Sequence, residues 1–157
     1  MPFDEAALDR SADELVWRAE RAAAADLALS VEPHYQSIVP TPPDVLRLME
    51  RAPGVNLTLD YAHFVCQGID EREIDALIPH TRHIHGRQGA PGLMQVSAND
   101  GTINFPRIIR AFEATSFDGY FSLEYQWDDW MDCKNVDCIS ETVLLRDLFR
   151  ETLGASA

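Results

Sequence analysis

The stretch that decides the fold is Val55-Asn-Leu-Thr-Leu-Asp60, in which apolar and polar residues alternate. This alternation is typical of a β-strand, because successive side chains of a strand point to opposite faces of its sheet. Helical patterns lie on either side: one helix is predicted from Thr41 to a stop at Pro53-Gly54, and a short one over residues 70–78. The stretch is therefore predicted to be a strand between two helices.

The same alternation recurs along the chain and predicts three more strands, at Leu27–Glu32, Thr81–Gly86 and Tyr120–Glu124. A first helix over Leu15–Ala25 is predicted to follow a capping box, Ser11-Ala-Asp-Glu14. Asn104 is predicted to cap a helix built on the apolar repeat that follows it. A last helix is predicted over residues 140–153, with a buried side made of Ile139, Val143, Leu144 and Leu148.

The predicted order is thus one helix followed by four strand–helix units. Alternating strands and helices imply a parallel sheet with helices packed outside it, so the fold class is α/β. No composition break or linker divides the chain, which indicates a single domain over residues 1–157. A complete (β/α)₈ barrel needs ~250 residues. A chain of 157 residues therefore holds either one compact α/β domain or about half of such a barrel.

Composition and charge narrow the choice of partners. The 26 acidic residues outnumber the 13 basic ones and give a net charge of −13, which would repel a nucleic acid. No apolar stretch reaches the ~18 residues of a membrane span, and Met1–Glu5 lacks the basic and apolar regions of a signal peptide. A cytoplasmic protein without nucleic-acid or membrane partners is expected, whereas an uncharged sugar or a metal ion held by carboxylates fits the charge. The three cysteines are odd in number and sparse, so free thiols are predicted.

One face of the predicted sheet carries polar residues at the carboxyl ends of all four strands. These residues are Ser30, Glu32, Thr58, Asp60, His83, His85, Ser122 and Glu124. The last residues of the strands on this face are expected to converge where α/β folds keep their active sites, and they are Glu32, Asp60, His85 and Glu124. That donor set predicts a divalent metal site, and its many oxygens favour Mn²⁺, Mg²⁺ or Co²⁺ over Zn²⁺. Any one of the carboxylates could instead cap the following helix, but four residues in register make coincidence the weaker explanation.

Further candidate residues lie close behind these positions. His34 and Arg87 each follow a predicted ligand by two residues, and His63 follows another by three. All three are candidates for binding substrate oxygens, with a surface-loop histidine and a solvated loop arginine as the alternatives. Trp127 and Trp130 could wall a sugar pocket, although packing is the more frequent use of tryptophan.

Several short motifs together resemble one known family. They are Ser-Val-Glu32-Pro-His, Leu-Thr-Leu-Asp60-Tyr-Ala-His63, His83-Ile-His85 with Arg87 after it, Gly101-Thr-Ile-Asn-Phe, and Phe-Asp-Gly-Tyr-Phe-Ser-Leu-Glu124. In order and spacing they resemble the C-terminal half of the xylose isomerase-like TIM barrels, the sugar (phosphate) isomerase/epimerase family. The resemblance covers nearly the whole chain and implies about half of a TIM barrel, with four strands and about five helices.

The resemblance also implies a function. The family holds one divalent metal with a Glu, Asp, His, Glu set, which corresponds here to Glu32, Asp60, His85 and Glu124. Its epimerase members use the two glutamates as an acid/base pair. A metal-dependent sugar or sugar-phosphate isomerase or epimerase is therefore expected, in which Glu32 and Glu124 move a proton through a metal-stabilised enediolate. No glycine-rich phosphate loop occurs, which leaves a phosphorylated substrate without support.

Alternatives of other classes remain open. A metal-dependent lyase or decarboxylase on a sugar acid would use the same metal and the same enediolate. A non-catalytic or truncated half-barrel would need a partner chain, because open sheet edges favour pairing. A homo-oligomer is expected, in particular a dimer that completes the barrel. An endonuclease is disfavoured by the acidic charge and by a ligand set with a single histidine.

Overall fold

The computed structural model describes residues 4–154 and contains one sheet of four parallel strands in chain order. The strands are β1 (Ser30–Val31), β2 (Asn56–Asp60), β3 (Thr81–Gly86) and β4 (Tyr120–Leu123). The helices are α1 (Glu5–Ala23), α2 (Pro42–Arg51), α3 (Ala62–Val65), α4 (Glu71–Ile74), α5 (Phe105–Glu113) and α6 (Cys138–Gly154), with 3₁₀ helices at Asp75–His80 and Trp130–Asn135. The predicted α/β class with four parallel strands is confirmed. Residues 1–3 and 155–157 lie outside the described residues. They are the two ends of the predicted domain, and residues 1–3 also belong to the segment in which no signal peptide was predicted.

The two faces of the sheet differ as the alternation predicts. One face packs beneath the helices, and its residues on the two central strands, Leu57, Leu59 and Ile84, are fully buried. The other face is half-buried and includes Thr58, His83 and Ser122. The register aligns the strand ends, because Asp60 of β2 lies opposite His85 of β3, which lies opposite Ser122 of β4. Side chains that follow the strands are therefore gathered at one edge of the sheet.

The first helix begins earlier than predicted. α1 starts at Glu5, where the Asp4 carboxylate accepts a backbone hydrogen bond from the first turn at 3.1 Å. Ser11 lies inside this helix, so the predicted capping box is wrong. The physical reason is burial: Leu8 and Ala12 are both in the core, and this apolar stripe extends the helix toward the amino terminus.

The predicted buried side of the last helix is also wrong. Residues Ile139, Val143 and Leu144 of α6 are exposed, and Leu148 is half-buried. Leu145 and Phe149 are buried instead. The ring centroid of Phe149 lies 4.2 Å from that of Phe121 in β4 and 5.5 Å from that of Phe105 in α5. These ring contacts with β4 and α5 fix which side of α6 faces the core.

The remaining predicted elements are present with different lengths, and the 3₁₀ helix at Trp130–Asn135 was not predicted. β1 is shorter than predicted, the helix predicted over residues 70–78 is α4 continued as a 3₁₀ helix, and the short α3 was not predicted. The predicted cap of α5 is confirmed, because the Asn104 side chain accepts a hydrogen bond from the Arg107 backbone N–H at 3.1 Å. Among the helices of residues 4–154, none is long and apolar enough to cross a membrane.

Candidate metal centre

The four predicted metal ligands stand together at the carboxyl ends of the strands. Glu32 and Glu124 directly follow β1 and β4, Asp60 ends β2, and His85 is the penultimate residue of β3. β1 and β4 are the outer strands of the sheet. The two glutamates therefore approach the centre of the site from opposite edges of the sheet.

His85 is the point where these glutamates meet. Its Nδ1 donates a hydrogen bond to Glu32 Oε1 at 3.1 Å and lies 2.9 Å from Glu124 Oε2. The two carboxylates, Glu124 more than Glu32, raise the pKa of His85 to about 10. Burial acts to raise the pKa of Glu124, but His85 outweighs it and lowers that pKa below its usual value. Glu32, His85 and Glu124 each offer one donor atom within 4.8 Å of the others, a spacing that can hold a metal ion.

Asp60 belongs to a second, overlapping group. It is buried, its Oδ1 accepts a hydrogen bond from the Ala62 backbone N–H at 2.8 Å, and its Oδ2 lies 2.8 Å from Arg87 Nη2. Burial, opposed by the charge of Arg87, raises the pKa of Asp60 to about 6. Asp60 shares with Glu32 and His63 a spacing that could also hold a metal ion. The predicted four ligands thus converge as two groups joined by Glu32.

Arg87, predicted as a substrate contact with a solvated loop arginine as the alternative, is buried, so the solvated alternative is wrong. Only 1% of its surface is exposed, and Nη2 lies 3.8 Å from Glu124 Oε2. Among the described residues its Nε and Nη1 have no hydrogen-bond partner, nor have Asp60 Oδ2 and Glu124 Oε2. Buried polar atoms without partners are costly. Each of the two carboxylate oxygens has a charged group within 3 Å, Arg87 Nη2 or His85 Nδ1, but no aligned hydrogen bond. A bound cation would supply the missing contact, so the residues present fit a divalent metal.

The hydrogen bonding of His63 shows how well this histidine could serve as a metal ligand. Its Nδ1 accepts a hydrogen bond from the Tyr35 backbone N–H at 3.1 Å. Burial lowers the pKa of His63 to about 3, so the ring is neutral and its one proton must be on Nε2. The 3.2 Å approach of Arg87 Nη2 to that nitrogen then joins two donors and is not a hydrogen bond.

This tautomer makes His63 a hydrogen-bond donor toward the acids. Its Nε2 lies 3.7 Å from Glu32 Oε1 and 4.0 Å from Asp60 Oδ2. A histidine that binds a metal needs a free lone pair on the binding nitrogen, which Nε2 lacks here. His85 Nδ1 also carries a proton when no cation is bound, but it already lies between the carboxylates of Glu32 and Glu124. A cation that displaces this proton would meet three donors at once, which makes His85 the better suited of the two histidines as a ligand.

Aromatic rings line one side of the acidic cluster. The exposed His34 lies over the buried His63 with a centroid separation of 3.9 Å, and Trp130 stacks on His34 at 5.1 Å. Trp127 points away, with 76% of its surface exposed. Of the two tryptophans considered for the pocket wall, Trp130 is the one beside the predicted substrate contacts.

The hydrogen bonds of two glutamines near the site were not predicted, although Gln126 begins the stretch of residues 126–132 that could line the pocket. Gln126 donates a hydrogen bond from Nε2 to Glu124 Oε1 at 3.0 Å, and Gln95 holds the backbone of Gln126 at 2.8 and 2.9 Å. The sequence did contain a signal for Gln126, because it lies two residues after Glu124 and so continues the alternation of polar residues on that face of the sheet. Gln95 had none, because it lies in a loop whose path follows only from the tertiary structure.

A family model described as xylose isomerase-like TIM barrel matches residues 2–148. No protein with curated annotation matches the sequence significantly. Solved structures that resemble the chain include a xylose isomerase-like TIM barrel protein from Mycobacterium smegmatis in complex with magnesium. It has a TM-score of 0.73 and 18% identity, and the match covers 96% of this chain and 53% of that one.

Two further solved structures carry names of enzymes. A D-tagatose 3-epimerase-like protein has a TM-score of 0.69 and 18% identity, over 96% of this chain and 57% of its own. The probable 3-DHS dehydratase AsbF from Bacillus anthracis, involved in petrobactin synthesis, has a TM-score of 0.68 and 17% identity, over 92% of this chain and 58% of its own. The chain thus spans between 53% and 58% of the length of these three proteins, and at such identities the likeness shows the fold.

Proposed function

The chain belongs to the xylose isomerase-like TIM barrel family, and from this premise we propose that it serves a divalent-metal-dependent isomerisation or epimerisation of a sugar. The observation that carries the proposal is the convergence of Glu32 and Glu124 on His85 Nδ1 from opposite edges of the sheet, at 3.1 and 2.9 Å. Two carboxylates on different sides of a planar intermediate can remove a proton from one face and return it to the other.

Glu32, Asp60, His85 and Glu124 are the proposed ligands of one divalent cation. Arg87 offsets one of the three carboxylate charges, so a divalent cation would balance the other two when His85 is neutral. The oxygen-rich donor set favours Mn²⁺, Mg²⁺ or Co²⁺ over Zn²⁺, and a similar structure holds magnesium. When bound, the cation would polarise adjacent carbonyl and hydroxyl oxygens of the sugar and stabilise an enediolate.

The protein's own groups would handle the proton and the hydroxyls. Glu32 and Glu124 are proposed as the acid/base pair, one removing the proton from the sugar carbon and the other returning it. The Nε2–H of His63 is suited to donate to a substrate oxygen, and the exposed ring of His34 can meet a hydroxyl. Arg87 can reach substrate only through Nη2, the nitrogen that faces the carboxylates.

The proposal is tested by proton exchange in D₂O with Mn²⁺ and a panel of ketoses and aldoses. The wild-type protein should incorporate deuterium at a sugar carbon, and Glu124→Gln should abolish both this exchange and metal retention. Glu50→Gln, a change of an exposed carboxylate on α2, serves as the matched control and should leave both unchanged. Wild-type exchange rates in Glu124→Gln, or no exchange with any sugar in the wild type, would refute the proposed reaction.

A metal-dependent lyase acting on a sugar acid is a second candidate. It is favoured by the similarity to a probable dehydratase, and it would use the same acid/base pair with loss of a leaving group. Product analysis separates the two reactions: an isomerase or epimerase conserves the mass of its substrate, whereas a dehydratase releases water.

We also propose that a second copy of the chain contributes the remaining wall of the pocket. Among the described residues, β1 and β4 each have one edge without a neighbouring strand. Apolar side chains near these edges are exposed, with Leu27 at 67% and Tyr120 at 79%. Light scattering of the 157-residue chain should report a dimer, and a monomer at all concentrations would contradict this part of the proposal.

A further inference from the structure

We infer that Gln126 is a positioning residue for Glu124 and that Gln95 fixes Gln126 in turn. The inference deepens the proposed function, since it rests on the role given there to Glu124. It concerns residues in two loops, one that follows β3 and one that follows β4.

Gln126 distinguishes the two oxygens of Glu124. Its Nε2 donates to Glu124 Oε1 at 3.0 Å, while Glu124 Oε2 lies 2.9 Å from His85 Nδ1 and 3.8 Å from Arg87 Nη2. The terminal torsion of a glutamate is broad when nothing holds it. A hydrogen bond to Oε1 selects the rotation that directs Oε2 at the site. Gln126 therefore fixes the plane of the carboxylate, so that the second of its two equivalent oxygens faces a cation or a proton.

Gln95 makes this arrangement rigid. It is 4% exposed, its Oε1 accepts the Gln126 backbone N–H at 2.8 Å, and its Nε2 donates to the Gln126 carbonyl at 2.9 Å. The same Nε2 donates to the Cys133 carbonyl at 2.8 Å. Both amide hydrogens and the amide oxygen are used, so the side chain has one preferred orientation. The backbone that carries Gln126 is thereby held at both of its polar groups.

The chemistry requires an amide at position 126. Leucine has a similar size but no donor, so Glu124 would lose its anchor. Glutamate has the same shape but would place a fourth carboxylate against Glu124, where like charges repel. Both substitutions should release the Glu124 carboxylate, and Gln126→Glu keeps the shape of the side chain if the leucine variant folds poorly.

The test combines metal affinity with structure. Gln126→Leu and Gln126→Glu should weaken Mn²⁺ binding by about 10–100-fold in titration calorimetry, the usual effect of removing a hydrogen bond from a ligand, while Tm stays close to that of the wild type. Gln95→Leu should weaken binding similarly. Exposed Asn99 lies in the same loop as Gln95, and Asn99→Ala is the control that should bind as the wild type. Wild-type affinity in both Gln126 variants would overturn the inference.

Crystal structures of the metal-free wild type and Gln126→Leu keep this inference separate from the proposed function. If the wild type binds no Mn²⁺, the metal-dependent function is refuted. The positioning role is then tested by the orientation of the Glu124 carboxylate in the two crystal structures. A rotated or disordered carboxylate in Gln126→Leu supports the positioning role. An unchanged carboxylate overturns it, whatever the metal affinity is.

Discussion

Mn²⁺ affinity should depend steeply on pH, because the cation must replace a proton on His85. The pKa of this histidine is raised to about 10 by Glu124 and Glu32, so Nδ1 is protonated throughout the physiological range. A metal binds only the neutral imidazole. Each ion bound below pH 10 should therefore release one proton from His85.

The size of this pH effect follows from the pKa values of His85 and Asp60. Asp60, with a pKa of about 6, is already ionised above pH 7, so His85 is the residue that still gives up a proton. Apparent affinity should then rise about tenfold per pH unit, or about 30-fold between pH 7 and pH 8.5.

Calorimetry in buffers of different ionisation enthalpy measures both the affinity and the number of protons released. The matched pair of variants is His85→Asn, which should lose binding, and His83→Asn, which should keep the pH dependence. His83 lies on the same strand and hydrogen-bonds Ser122 at 2.7 Å, outside the acidic cluster. An affinity that is the same at pH 7 and pH 8.5, with no proton released, would show that His85 is not a ligand.

Three further predictions concern stability. Asp60→Asn removes the closer carboxylate of the buried Arg87 and leaves it only the 3.8 Å contact with Glu124, so urea denaturation should show a loss of about 3–5 kcal/mol in unfolding free energy; an equal or larger loss after adding Arg87→Met would contradict the pairing. Gly101→Ala places a Cβ against the side chain of Gln88 and should cost about 1–3 kcal/mol by breaking the hydrogen bonds of this buried amide with Ile103, again by urea denaturation. His63 has a pKa of about 3 when folded against 6.5 for an unperturbed histidine, so the unfolded state binds the proton first and stability should fall as pH drops from about 6.5 toward 3. His63→Gln should show a shallower fall when Tm is measured between pH 4 and pH 7, and an identical slope would argue against a buried neutral ring.

Most of the fold could be predicted from the alternation of apolar and polar residues in the strands. In β2 and β3 the alternation from Val55 to Asp60 and from Thr81 to Gly86 correctly assigned the buried and the polar faces, because a parallel strand buried on one side by helices leaves a period of two in its sequence. The same local reasoning was wrong for α6. Its sequence offers more than one apolar stripe, and the choice among them depends on the distant ring of Phe121, which no local window contains.

The convergence of the four predicted ligands could be predicted from the sequence, whereas their individual contacts could not. Strand ends placed Glu32, Asp60, His85 and Glu124 together, because position in a strand determines which face a side chain shares. The pairing of Asp60 with a buried arginine could not be read from the chain, since burial depends on how the β3 loop folds back. The proton position on His63 likewise depends on a backbone N–H that is 28 residues away in sequence.

The central claim is that one divalent cation binds among Glu32, Asp60, His85 and Glu124. A crystal structure of the protein soaked with Mn²⁺, with anomalous data collected at the manganese edge, tests it most directly. The expected result is a single anomalous peak in contact with His85 Nδ1 and with oxygens of all three carboxylates, Asp60 included. A peak held by His63 without His85, or no peak at these residues at a saturating Mn²⁺ concentration, would contradict it.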